Sequence, residues 1–233
     1  MSVANNMVAS KPKDNVTVFT TDTGEIKLSN ATVKSYLVNG NGSITDQEAM
    51  MFIALCKGQK LNPFIKEAYL IKYSDTQPAS MVVAKDVFQK RADRNPDYDG
   101  KKAGVIVENN ESGEVIYRDG AFYKKSVEKV IGGWCEVFKK NRSHSERIEV
   151  SFDEYAATKK DGSLNSNWTN RPATMIRKVA VVQALREAFT SDFQGMYVAE
   201  ELGINEDELP KETVDQVIEV QAEPVQEYEP DLL

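Results

Sequence analysis

The stretch TNRPATMIRKVAVVQALREAF, residues 169–189, constrains the fold more than any other part of the chain. On a helix beginning near Pro172, residues Thr174, Arg177, Lys178, Val181 and Leu185 share one face at i, i+3, i+4 spacing. Met175, Val179, Val182 and Phe189 lie round the side, and Ala180, Ala184 and Ala188 are small. A helix that is apolar on most faces is packed on several sides rather than laid on a surface. The pattern therefore predicts a long core helix over about 172–190 with Arg177, Lys178 and Arg186 inside it. Three outcomes for these cations are open. Their stems can lie on the core while the charge reaches water. They can pair with Glu187 or Asp192, although isolated surface pairs contribute only ~0–1 kcal/mol. Or they can line a groove and take an anion from a ligand.

The rest of the chain supplies shorter elements. VTVFTTDTGEIKLS reads as a hairpin about Asp22, Thr23 and Gly24. Residues 29–38 suit a short helix ended by Gly40 and Gly42. Thr45 with Glu48 three residues later forms a capping box, opening a helix to about Cys56. Asn62-Pro63 is a turn. EAYLIKYS and PASMVVA read as paired strands, and 85–95 as a helix stopped by Pro96. AGVIVENNESGEVIYR is a second hairpin, and GGWCEVFKK and SERIEVSF are further partner strands. Hairpins and helices without regular βαβ alternation predict an α+β fold with a central antiparallel sheet, packed helices including the long C-terminal core helix, and an N-terminal hairpin.

Charge divides the chain. The whole carries −7, but residues 205–233 hold ten acidic residues against one lysine, a net of −9, which leaves +2 on residues 1–204. A mildly basic body with an acidic tail leaves nucleic-acid binding open to the body. The expected organisation is a disordered stretch over 1–14, a folded body over 15–204 and a flexible acidic tail over 205–233 with at most a short helical piece near 214–220. No apolar run approaches the ~20 residues that span a bilayer, and the N-terminus does not read as a secretory signal. A cytosolic protein is expected. One histidine, His144, and two distant cysteines, Cys56 and Cys135, leave almost no material for a zinc site or a Ser-His-Asp triad. The cysteines read as reduced and buried.

Further cations lie among aromatic residues. FIKEAYLIKY places Phe64, Lys66, Tyr69, Lys72 and Tyr73 together, FQKRADRNPDYDGKK supplies Lys90, Arg91, Arg94, Lys101 and Lys102, and Trp168 stands near Arg171. Such mixtures suit a single-strand groove, where cations follow phosphates and rings contact bases, and they equally suit a solvated charged face. No GxxxxGK[ST] loop appears, so a P-loop motor is not expected.

In order along the chain, LCKGQKLNPFIKEAYLIKY, VVAKDVFQKRADRNPDYDG, a tryptophan followed by RPATMIRKVAVVQALREAF, and GMYVAEEL resemble the bacteriophage RecT/Bet (Redβ) single-strand annealing proteins over about residues 45–203. The N-terminal hairpin resembles the RecT branch. The resemblance implies a recombinase that needs no ATP or other cofactor and is not an enzyme in the catalytic sense. It implies subunits assembled as rings or filaments that hold one DNA strand in a basic groove while a complementary strand pairs with it. By that likeness Lys66, Arg91, Arg177, Lys178 and Arg186 contact phosphates, and with them Lys90, Arg94 and Arg171. The implied partners are single-stranded DNA, the annealed duplex, further copies of the chain, a phage exonuclease and the host single-stranded DNA-binding protein. Larger members engage those two proteins through a separate C-terminal domain, for which the roughly 30 residues after Gly203 are too few and too polar. The tail can instead compete with DNA for the groove, or act only as a solubilising extension. Two other functions compete with annealing: a strand protector that never anneals, and a metal-dependent nuclease built on Asp86, Asp93, Asp97, Asp99 and Asp153.

Overall fold

A computed structural model describes residues 16–159 and 161–204. The stretch 1–14 and the helical piece near 214–220 lie outside the described residues. The chain opens with a hairpin of β1 (Thr17–Thr21) and β2 (Gly24–Leu28), in which Thr21 pairs with Gly24 across a two-residue loop. Thr21 Oγ1 closes that loop by accepting from the Thr23 N–H at 3.2 Å and donating to the Gly24 carbonyl at 2.8 Å. Ser29 caps α1 (Asn30–Tyr36), and Thr45 and Glu48 form the expected capping box on α2 (Asp46–Gly58).

Gly40 and Gly42 do not end α1, which stops before a two-residue strand, β3 (Val38–Asn39). Their role is close backbone approach. A Cβ on Gly40 would lie 2.3 Å from the Lys72 carbonyl oxygen, and one on Gly42 would lie 2.5 Å from Lys72 Cγ. The Gly42 N–H donates to that carbonyl at 2.9 Å, which seats β3 parallel to β4 (Ala68–Ile71). Antiparallel β5 (Ser80–Val83) completes this three-stranded sheet. Beneath it, Lys72 is buried and donates to both Glu48 carboxylate oxygens at 2.8 Å, while Glu48 also accepts from the Ala79 N–H at 2.8 Å. One carboxylate thus caps α2 and clamps it to the β4–β5 hairpin. The Lys72 and Thr45 hydrogen bonds hold that carboxyl at about 2, well below its ordinary 4.5. Lys72, placed among the groove cations by sequence, is a structural residue.

After α3 (Lys85–Arg94) come β6 (Tyr98–Asn109), β7 (Val115–Asp119), β8 (Glu128–Lys139) and β9 (Glu146–Ser151), an antiparallel sheet in the order β7-β6-β8-β9. Two short helices follow, α4 (Phe152–Tyr155) and α5 (Ser166–Asn170), and then the long helix α6 (Pro172–Ala188). Because side chains alternate along a strand, Ala103, Val105 and Val107 on β6 and Cys135 and Val137 on β8 face one side together. On that side α6 runs so close to β8 that a Cβ on Gly133 would lie 2.7 Å from the Ile176 carbonyl oxygen. Ile176, Val179, Ala180, Val181, Val182, Ala184 and Leu185 are all buried, as expected of a helix packed on several sides. Trp168, read from sequence as a ring beside Arg171, is instead a core residue, 1% exposed, packed edge-on against Phe152. Cys56 and Cys135 are free and buried, and burial pushes their thiols up to about 12 and about 11. Among the described residues no helix is long and apolar enough to cross a membrane.

Candidate nucleic-acid interface

The junction of β5 with α3 sets up the site. Val83 donates its N–H to the Tyr197 carbonyl at 2.8 Å, and Ala84 donates to the Glu67 carbonyl at 3.0 Å, so the strand end is held from both sides. Ala84 then begins α3 without a side-chain cap, and Lys85 is its first residue. Phe88 on α3 stacks on Phe193, beyond the end of α6, with ring centroids 5.2 Å apart, which fixes α3 against the end of the core helix. Between these elements lies a cleft of about 320 Å³ lined by Tyr69, Val82, Ala84, Lys85, Lys178 and Ala199, with Val83 and Asp86 also on its wall.

Two more cations lie outside its lining but are linked to Lys85, because Lys101 feels the charges of both Lys85 and Arg177. Arg177 donates from Nε to the Ala103 carbonyl of β6 at 3.3 Å. Lys101 lies two residues earlier on the same strand face, half-buried, and donates to Gln89 Oε1. Burial, with Lys85 and Arg177 alongside, pulls the Lys101 ammonium below its ordinary pKa. Lys85, Lys101, Arg177 and Lys178 therefore come from three elements, α3, β6 and α6, to one region, with Asp86, Asp93 and Glu200 as the nearby carboxylates. A phosphate entering it would meet positive charge from several directions and reverse the unfavourable crowding of like charges.

The sequence-predicted cations divide accordingly. Arg177 and Lys178 belong to this cluster, Lys178 already carrying a partner, since its Nζ is 2.7 Å from Glu200 Oε1. Arg171 is exposed at the start of α6 and, seven residues before Lys178, shares its face of the helix about 10 Å away. Arg186 is enclosed by the segment that follows α6. It pairs bidentately with Glu201, donates to the Met196 carbonyl at 3.3 Å and lies 4.8 Å from the Tyr197 ring centroid. Burial opposes its charge, yet the Glu201 carboxylate raises its pKa above the ordinary value. The partners are Glu200 and Glu201 rather than Glu187 or Asp192, because the 3-10 turn Ala199–Leu202 folds back along α6.

On the other flank, Arg91 donates to the Gln59 carbonyl and side chain at the end of α2 and to the Asp192 carbonyl at 2.8 Å. Lys90 pairs with Glu67 at 2.8 Å and lies 3.9 Å from Asp22 of the hairpin loop, which Arg94 also engages. Lys66 is exposed in the left-handed region, φ 63°, closing the 3-10 turn Pro63–Ile65. Sequence reasoning did not name Lys85, and it named Lys101 only among the cations interleaved with aromatic residues, not among the phosphate contacts. A signal existed for Lys101, which is in phase with Ala103, Val105 and Val107 and so points toward the core-helix side of the sheet. Asp97 and Asp93 of the metal-site reading accept from Asn141 at 2.8 Å and from Gln89 at 2.6 Å. Among the described residues no group of three or more His, Cys, Asp or Glu is placed to hold a metal ion.

The model of the RecT family matches residues 23–215, from the hairpin loop through the whole site. The chain belongs to the RecT family. Membership puts it with the single-strand annealing proteins of recombination, which bind DNA. A comparison with curated proteins found no match. For a RecT-family chain of this charge, the cluster joining α3, β6 and α6 is the candidate contact with the DNA backbone.

Proposed function

We propose that this RecT-family chain anneals complementary DNA strands without a nucleotide cofactor, and that Lys85, Lys101, Arg177 and Lys178 hold the backbone of the first strand. The observation that carries the proposal is the placing of Lys85 and Lys178 on the wall of an open cleft, with Lys101 within electrostatic range of both Lys85 and Arg177. Arg171 extends the track along α6, and Lys66 is kept as a more distant phosphate contact on the exposed turn after α2. Lys90, Arg91, Arg94 and Arg186 serve first as internal ties, which shape the site rather than touch the strand. Base pairing and stacking, worth about 1.4 kcal/mol per step, supply the free energy of annealing. The protein's part is to offset repulsion between two polyanions and keep base edges open.

A body with a net charge of only +2 suits a cooperative assembly, in which many subunits with few cations each cover a long strand. Subunits then lie side by side as a ring or filament, in the cytoplasm of a bacterial host during phage recombination. An exonuclease that exposes the strand and the host single-stranded DNA-binding protein are the partners this role calls for.

Salt dependence of binding to a short oligothymidine tests the backbone assignment. Each neutralised phosphate contributes roughly 0.7 to the slope of log K against log salt on a single strand, so four contacts give about 3 per subunit. Replacing Lys85 and Lys101 by glutamine is expected to lower the slope by about 1.4. An unchanged slope would remove both residues from the interface.

A further inference from the structure

We infer that the acidic segment 205–233 docks on the Lys85/Lys178 cleft of its own subunit and competes there with DNA. The inference rests on the proposed role of that cleft and adds its regulation. Three observations lead to it. First, the segment holds ten acidic residues and one lysine, opposite in sign to the body that bears it. Second, the chain already uses carboxylates in this way just before the segment starts. Glu200 sits on Lys178 and Glu201 on Arg186, so two adjacent acids of the turn after α6 neutralise two cations of the core helix.

The third observation is where the segment begins. Ile204 is buried in a small cluster with Ile71, Val82 and Ala199, against which Tyr69 packs. Tyr69, Val82 and Ala199 also line the cleft that holds Lys85 and Lys178. Glu206, Asp207 and Glu208 therefore start within about 14 Å of chain from the cleft wall, at 3.3–3.6 Å per residue. So short a tether gives an effective concentration on the order of millimolar, enough for weak individual ion pairs to compete with a strand bound from solution. The competition weakens as DNA displaces the carboxylates, so the segment would favour long strands covered by many subunits over short or isolated ones.

The experiment uses the full chain and a full-length variant in which every acid from Glu206→Gln to Asp231→Asn becomes its amide. Acetylation of Lys85 and Lys101 is followed by mass spectrometry without DNA, and oligothymidine binding is measured alongside. The inference expects faster acetylation of both lysines in the variant and affinity at low salt raised by about tenfold. Equal acetylation in the two proteins would overturn the docking. Protection in the native chain with unchanged DNA affinity would overturn the competition while leaving the docking. Protection that grows with protein concentration would assign the segment to a neighbouring copy and overturn the intramolecular contact. Failure of either protein to bind DNA counts against the proposed function, and the acetylation result still decides the docking.

Discussion

Lys178 Nζ lies 2.7 Å from one oxygen of Glu200, while the other Glu200 oxygen is buried without a hydrogen-bond partner. The pair joins the core helix to the turn behind it and occupies a cation beside the cleft. Lys178→Ala leaves a buried carboxylate uncompensated and is expected to cost about 2–3 kcal/mol. Lys178→Ala with Glu200→Ala removes both charges and is expected to cost about 1 kcal/mol less than the single change. Denaturant unfolding of the three proteins measures this. A double variant less stable than the single one would contradict the uncompensated-charge account.

Glu48 gives the fold an acid limit. Its carboxyl is held near 2 in the folded chain and returns to about 4.5 on unfolding, so the unfolded state binds the proton first. The stability from the Lys72 and Thr45 contacts is complete above about pH 4.5 and is lost as the pH falls toward 2. Glu48→Gln should be less stable than the native chain at neutral pH, with the difference shrinking across that window. A difference that stayed constant from pH 7 to pH 2.5 would contradict the clamp.

Arg91 separates a structural cation from a DNA-binding one. Arg91→Lys keeps the charge and loses the fork that ties the end of α2 to the loop after α6, at an expected cost of about 1–2 kcal/mol. The salt slope of DNA binding by the folded fraction should not change. A slope lowered by about 0.7 would return Arg91 to the phosphate contacts.

Much of this was legible in the sequence where the physics is local. The capping box at Thr45 and Glu48, the two-residue loop at Asp22 and Thr23, and the all-round apolar helix after Pro172 are each specified within a few residues. Gly40 and Gly42 were misread because the backbone they approach belongs to Lys72, some thirty residues away. Lys72 and Trp168 look like surface groups until Glu48 and Phe152 are placed beside them. In the candidate site, helix spacing picked out Arg177 and Lys178, but Lys85 and Lys101 reach them only through tertiary packing. The acids that pair with α6 were sought at nearby Glu187 and Asp192, and the returning turn put Glu200 and Glu201 there instead.

Lys101 should report DNA directly. Burial, with Lys85 and Arg177 near, holds its ammonium below the ordinary lysine pKa, and a bound phosphate favours the charged form. Its pKa, followed by NMR of the side-chain amine, is expected to rise when oligothymidine is added. A pKa that did not move at saturating oligonucleotide would place the strand elsewhere.

The central claim is tested most directly by the pairing rate of two complementary fluorescent oligonucleotides without ATP, for the native chain and for Lys85→Gln/Lys101→Gln. Neither substitution breaks a buried ion pair, so an unchanged melting temperature can be required of the variant. The account predicts that the native chain speeds pairing and that the folded variant loses most of that acceleration. Slower pairing with the native chain would make it a strand protector, and full acceleration by the variant would contradict the assignment of the backbone to this cluster.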